Sequence, residues 1–242
     1  MTRKIITILA LVALALAPAF AQGNGNGKGR GGKGALGGGK DFDGGMNSVL
    51  TGLPMEDLSN QEKNGLLHML EEEKLARDVY MTLFEEWGHR VFRNIARSEN
   101  RHMNAVRIMI QKYGLVDPML DDIVGVFTDP EMQRLYNELT FQARTSLQAA
   151  FEVGAIIEDL DIYDLKKYLK KADNQDVRVL FQNLQKGSRN HMRAFVRQME
   201  RYQLMYQARY LSQEEIDEIL DSPMEHGLYD SDGKPYFGDT GW

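Results

Sequence analysis

Apolar residues recur at helical spacing along four long stretches of the chain, and they almost nowhere alternate as a strand requires. The first stretch runs from about Ser59 to Glu86, with a stripe of Leu66, Leu70, Ala76, Tyr80, Leu83 and Trp87. Ser59 and Glu62 form a capping-box pattern at its start, and Gly88 marks its end. Only Gly88-His89 separates it from the second stretch, so the two should run antiparallel. The second stripe is Phe92, Ile95, Val106, Met109 and Tyr113, with Gly114 as the stop. A loop from Leu115 to Thr128 is long enough to cross from one end of a bundle to the other. Asp129-Pro130 then opens a third region, expected to break near Thr140 to Thr145; its better half carries Leu147, Phe151, Gly154 and Leu165. The fourth stretch runs from Asp173-Asn174 to about Met205, with Val177, Leu180, Leu184, Phe195, Met199 and Tyr202. A short helix capped by Ser212 and Glu215 follows. The pattern predicts an all-α domain: an antiparallel four-helix bundle with a long crossover and a short C-terminal helix.

Each stripe is interrupted by groups that resist burial. Glu73 interrupts the first, Glu99 and His102 the second, Glu158 and Asp161 the third, and His191 (with Ser188 one turn before it) the fourth. Carboxylates and imidazoles facing a helical core are costly unless they are paired or bind something. Residues three apart share a helix face, so Glu99 and His102 can reach one ion. Glutamates can bridge two cations while each imidazole binds one, and oxygen-rich ligation with one histidine per metal suits iron or manganese better than zinc. Glu71 and Glu72 rival Glu73, which is preferred because it shares a face with Leu66, Leu70 and Tyr80; Glu152 falls on a different face from Glu158. The competing explanation is a purely structural polar core, which would need a dense hydrogen-bond network.

Longer motifs carry a family resemblance. Glu73-Lys74-Leu75-Ala76-Arg77-Asp78-Val79-Tyr80 resembles the first-helix motif of rubrerythrin-type ferritin-like proteins, and Ser98-Glu99-x-x-His102-x-x-Ala105 resembles their second-helix motif. The stretch 59–221, including Val153-Gly154-Ala155-Ile156-Ile157-Glu158 and Gly187-Ser188-Arg189-Asn190-His191-Met192-Arg193-Ala194-Phe195, is similar to the exported ferritin-like family of domain of unknown function 2202. The resemblance implies a ferritin-like bundle with a dinuclear iron or manganese site, and redox chemistry on O2, peroxide or Fe(II), but no established reaction. One departure stands out. The ferritin-like pattern has a second Glu-x-x-His on its fourth helix, and this chain has Ser188 in place of that glutamate. Asp161, one turn from Glu158, is positioned to compensate, since rubrerythrin-type proteins carry two carboxylates on the third helix. An asymmetric site or a single bound metal is equally open.

Other features add less. Arg77 and Asp78 could orient ligands or form an exposed salt bridge, and Tyr80 and Tyr113 could hydrogen-bond ligands or fill the core. His102-Met103 and His191-Met192 suggest Cu(I), but methionine is a common core filler and adjacent helical residues face different ways, so copper is disfavoured. His68, His89 and His226 show no partners at ligand spacing. Asp230-Ser231-Asp232-Gly233 matches part of a calcium loop whose remainder is missing.

The N-terminal region is of another kind. Arg3 and Lys4, the apolar run Ile5–Leu16 and Ala19-Phe20-Ala21 read as a secretory signal peptide over 1–21, implying export to a periplasm or beyond and no membrane span after cleavage. Residues 22–45 contain 12 glycines in 24 positions and read as a disordered, solvated linker. Residues 46–221 form the bundle domain, and 222–242 a C-terminal tail. Removing the two positive charges of the leader and the net +2 of the linker from the total of −6 leaves −10 on residues 46–242, which argues against nucleic acid or anionic lipid as a partner. With no cysteine, the chain lacks a rubredoxin-like site, so an enzyme of this kind would need an external electron donor. The sequence leaves open whether the bundle catalyses, or stores metal or binds a partner through a degraded site.

Overall fold

The computed structural model describes residues 45–119 and 121–236, which form seven helices and one short hairpin. The helices are α1 (Asn47–Gly52), α2 (Asn60–Trp87), α3 (Arg90–Lys112), α4 (Pro130–Ala143), α5 (Leu147–Leu169), α6 (Gln175–Glu200) and α7 (Gln213–Asp221). Strands β1 (Leu228–Tyr229) and β2 (Pro235–Tyr236) pair antiparallel. The protein is thus essentially all-α. The signal peptide, nearly all of the linker and residues 237–242 of the tail lie outside the described residues.

Local chemistry sets most helix boundaries. Ser59 and Glu62 close a reciprocal capping box at the start of α2, and Gly88 ends that helix in the left-handed conformation at φ 63°. The third region breaks where expected: α4 stops at Ala143, and Ser146 caps α5 by accepting the amide of Ala149.

The apolar core falls into two clusters separated by a polar belt. One contains Val79, Leu83, Phe92, Ile95, Phe151, Phe195 and Met199; the other contains Leu66, Leu70, Val106, Met109, Leu165, Leu180 and Leu184. Helices α2 and α6 run from the second cluster to the first, and α3 and α5 run the opposite way. Helix α2 packs along α3 and α5 along α6, with further contacts from α2 to α5 and α3 to α6. Because α3 and α5 point the same way, the chain between them must return along the molecule, and it does so through the loop after Lys112 and through α4.

Two boundaries differ from the sequence pattern. Helix α6 ends at Glu200, not near Met205. Leu204 N–H closes onto Met199 O and Gln203 takes φ 58°, after which Asp159 of α5 captures the chain. Its carboxylate accepts the Tyr206 hydroxyl at 2.8 Å and the backbone amides of Arg209, Tyr210 and Leu211 at 2.7, 3.1 and 2.9 Å. The stretch 222–236, read as tail, packs on α6: Asn183 bonds Tyr229 in both directions, and Arg189 and Arg193 donate to Glu225. The acidic tetrapeptide makes the hairpin turn there, with Asp230 Oδ1 accepting from the amides of Asp232 and Lys234.

Candidate metal centre

The belt between the two clusters is where the interrupting groups meet. Glu73 comes from α2, Glu99 and His102 from α3, Glu158 and Asp161 from α5, and His191 from α6; all are buried. His102 Nδ1 lies 2.7 Å from Glu99 Oε2 and 3.1 Å from Glu73 Oε2. His191 Nδ1 lies 2.7 Å from Glu99 Oε1 and 3.5 Å from Glu158 Oε2. The two imidazoles stack with centroids 5.5 Å apart. Two trios result, Glu73–Glu99–His102 and Glu99–Glu158–His191, each with one donor atom per residue inside a 4.8 Å sphere of mutual distance, and Glu99 belongs to both. Asp161 is buried beside them but joins neither trio.

Hydrogen bonding leaves this centre unfinished. Glu73 Oε1, Glu99 Oε1, Glu158 Oε2 and His191 Nδ1 are all buried without an aligned hydrogen-bond partner. Glu99 Oε1 and His191 Nδ1 face each other at 2.7 Å as an ion pair, while Glu73 Oε1 has no partner, and a bare buried carboxylate oxygen costs about 1–3 kcal/mol. The donor set of carboxylates and imidazoles fits iron or manganese.

Electrostatics agree. Burial pushes the Glu73 carboxyl up to about 7 against the pull of His102, with Glu99 and Glu158 adding to the rise. Burial likewise brings Glu158 up to about 7, opposed by His191 and assisted by Glu99. Asp161 is raised well above the carboxylate range by burial and by Glu73, Glu72, Glu158 and Glu99. Burial would raise Glu99 too, but His191 and His102 outweigh it and hold that carboxyl well below its ordinary range. Burial disfavours charge on His102, yet Glu73 and Glu99 bring it up to about 9. Without a cation, the belt therefore places an ionised Glu99 between two imidazolium rings, with Glu73 and Glu158 giving up their protons only around neutral pH and Asp161 holding its proton more tightly.

The surroundings are specific. Tyr80 donates to Glu158 Oε1 at 2.5 Å and sits 3.2 Å from Gly154 O. Gly187 on α6 lies directly under the His102 ring, where an added Cβ would stand 2.5 Å from Cε1. Ser188 is buried, but its hydroxyl donates to Leu184 O at 3.2 Å, so it supplies nothing to the trios. Met103 and Met192 are buried in the two apolar clusters.

Several residues singled out in the sequence serve elsewhere. Arg77 and Asp78 are neither ligand-orienting nor an exposed pair. Asp78 is buried and takes Lys74, Arg77 Nε at 2.8 Å and the amide of Gly125 at 2.9 Å, while Arg77 clamps Asp122 at 2.9 and 2.5 Å, pinning the loop after α3. Tyr113 bonds Asp176 at 2.8 Å, at the far end of α3. His89 is the N-cap of α3. His68 does have partners: Glu72 lies at 3.1 Å and Asp164 at 3.8 Å, a third trio. The i,i+4 spacing of His68 and Glu72 was its one signal in the sequence.

The family model for "Uncharacterized protein domain (DUF2202)" matches residues 62–223, which include every residue of the three trios. The chain belongs to the DUF2202 family. It is 48% identical over 183 residues to the uncharacterized protein MJ0754 of Methanocaldococcus jannaschii, covering 76% of this chain and 99% of that protein. The crystal structure of hypothetical protein MJ0754 from Methanococcus jannaschii superposes with a TM-score of 0.70 at 49% identity, covering 72% of this chain and 99% of the other. The same fold is therefore present in a crystal structure of a second, similar chain.

Proposed function

We propose that this DUF2202 protein is an exported, ferritin-like four-helix bundle that holds a dinuclear iron or manganese centre and uses it in redox chemistry on O2, peroxide or Fe(II). The observation that carries this reading is Glu99, whose two oxygens face two different histidines at 2.7 Å each. A carboxylate in that position is suited to bridging two ions, with Glu73 and His102 holding one, and Glu158 and His191 the other. The bound metals would supply the electron-accepting and electron-donating centre.

The chain's own residues do the rest. Tyr80 keeps its proton, because burial and then Glu158 push its hydroxyl well above the usual range, so it donates to Glu158 and fixes that carboxylate's orientation. Phe92, Phe151 and Phe195 wall one side of the belt with apolar surface and keep water from it. His191, at 8% exposure, is slightly more open than the other donors. Electrons for repeated turnover must come from outside, since the chain has no cysteine to build a rubredoxin-like site.

Ser188 favours a second reading. Its hydroxyl is bonded to the backbone, so the donor set is one carboxylate short of the symmetric pattern, as a storage or binding bundle with a degraded site would be. Anaerobic loading with Fe(II) followed by rapid mixing with O2 or peroxide separates the two. Fast oxidation that repeats after re-reduction supports the redox enzyme, and bound Fe(II) that never turns over supports the binding bundle.

A further inference from the structure

The third trio lies outside the central belt. His68 and Glu72 are one turn apart on α2, and Asp164 reaches them from α5. One donor atom from each lies within 4.8 Å of the others. Glu72 is 1% exposed, and its Oε2 is buried with no hydrogen-bond partner, although Oε1 faces His68. A surface ion pair would not require a carboxylate sunk this deep with one oxygen left bare. The His68 side chain, in contrast, is 32% exposed, so the trio opens to solvent on that side. Lys167 contacts Asp164 at its Oδ1, 2.6 Å away, leaving Oδ2 toward His68; its side chain is half exposed and lies over the Tyr163 ring.

The same two helices supply the central cluster. Glu72 directly precedes Glu73, and Asp164 is one turn beyond Asp161 on the same face of α5. Asp161, which belongs to neither central trio, thus stands on the side of the belt nearest the outer one.

We propose that His68, Glu72 and Asp164 form an additional divalent-cation site at the solvent side of the central cluster, where an incoming ion is held before it passes along Asp161 to Glu73. One imidazole and two carboxylates with open positions suit Mn(II), Fe(II) or Co(II). The site stands on its own residues; only its role in loading rests on the proposed dinuclear centre.

The test is anomalous diffraction from crystals of the protein soaked in Mn(II), paired with rapid-mixing absorption of Co(II) entering the protein in solution, for wild type, His68→Ala and Asp164→Asn. The expected result is a peak between His68, Glu72 and Asp164 besides those at Glu99. His68→Ala should lose that peak, keep the inner ones and load the inner cluster several-fold more slowly. His68→Ala leaves the buried Glu72 without its imidazole partner, so Asp164→Asn, which keeps that pair, provides a second, isosteric variant. Inner peaks alone in wild type would overturn the outer site and reduce the trio to an ion pair. An outer peak with unchanged loading in both variants would overturn its role in loading. A peak at the outer trio alone would uphold this site and defeat the dinuclear centre, and no peak at either place would defeat both.

Discussion

The His102 ring rests on Gly187: a β-carbon at that position would lie 2.5 Å from Cε1 and 2.7 Å from Nε2 of the imidazole. Contacts this short do not occur between real atoms, and the ring is a rigid, buried group that cannot fold aside. The small residue on α6 thus sets how closely His102 on α3 can approach the belt.

Gly187→Ala should separate metal binding from stability. Alanine in a helix is favoured over glycine by about 1 kcal/mol, which offsets part of the steric clash in the metal-free protein. The displaced imidazole should weaken metal affinity by about 10–100-fold, the range seen when groups that orient ligands are disturbed. Thermal unfolding of metal-free protein beside a Mn(II) titration checks this; unchanged affinity would show that His102 does not bind.

Tyr80→Phe removes the hydroxyl that donates to Glu158 and leaves the ring in place. A buried hydrogen bond to a charged group contributes about 1.5–3 kcal/mol, so denaturant unfolding of the metal-free variant should show a loss of that order. That full loss should be reached only above about pH 7, where Glu158 is ionised in the metal-free protein, and should shrink as the pH falls below it. The ion held by Glu158 and His191 should bind more weakly, while the one at Glu73 and His102 should be little changed.

The packing of the 222–236 stretch on α6 makes stability depend on acid. Burial tends to raise the Glu225 carboxyl, but Arg189 and Arg193 outweigh it and lower it below its ordinary 4.5. A depressed folded-state value means that Glu225 stabilises the protein above the unfolded value near 4.5, and that this contribution is lost as pH falls through the lower folded value. Glu225→Gln should therefore lower the midpoint of thermal unfolding at neutral pH. The gap from wild type should narrow steadily below about pH 4.5. A gap independent of pH would rule out the carboxylate as its source.

How much of this was legible in the sequence follows from the range of each interaction. The helical stripes, the Ser59–Glu62 capping box and the breaks at Gly88 and Thr140–Thr145 depend on residues a few positions apart, so periodicity exposes them. Glu73, Glu99, His102, Glu158 and His191 stood out because a charged group on an apolar stripe is anomalous wherever the helix is placed. What escaped depends on distant partners. The path of the chain after α6 is held by Asp159, more than forty residues earlier, whose carboxylate accepts the amides of Arg209, Tyr210 and Leu211. Arg77 and Asp78 were misread because Asp122 and Gly125 come from the loop after α3. The His68–Glu72 pair resembles any solvated i,i+4 pair until Asp164 arrives from α5. Asp161 could be placed on the right face of its helix, but its distance from either trio is a matter of packing that spacing alone does not determine.

The dinuclear centre is tested most directly by metal analysis of protein purified without chelator and reconstituted with Fe(II) or Mn(II). It should be done in a His68→Ala background, so that only the central cluster is counted, beside the same protein with His102→Ala and His191→Ala. The expected result is close to two iron or manganese ions per chain, lost when the two histidines are removed. No bound metal after reconstitution, with both proteins equally stable, would mean that Glu99 joins two histidines in a structural core and that the belt binds no metal.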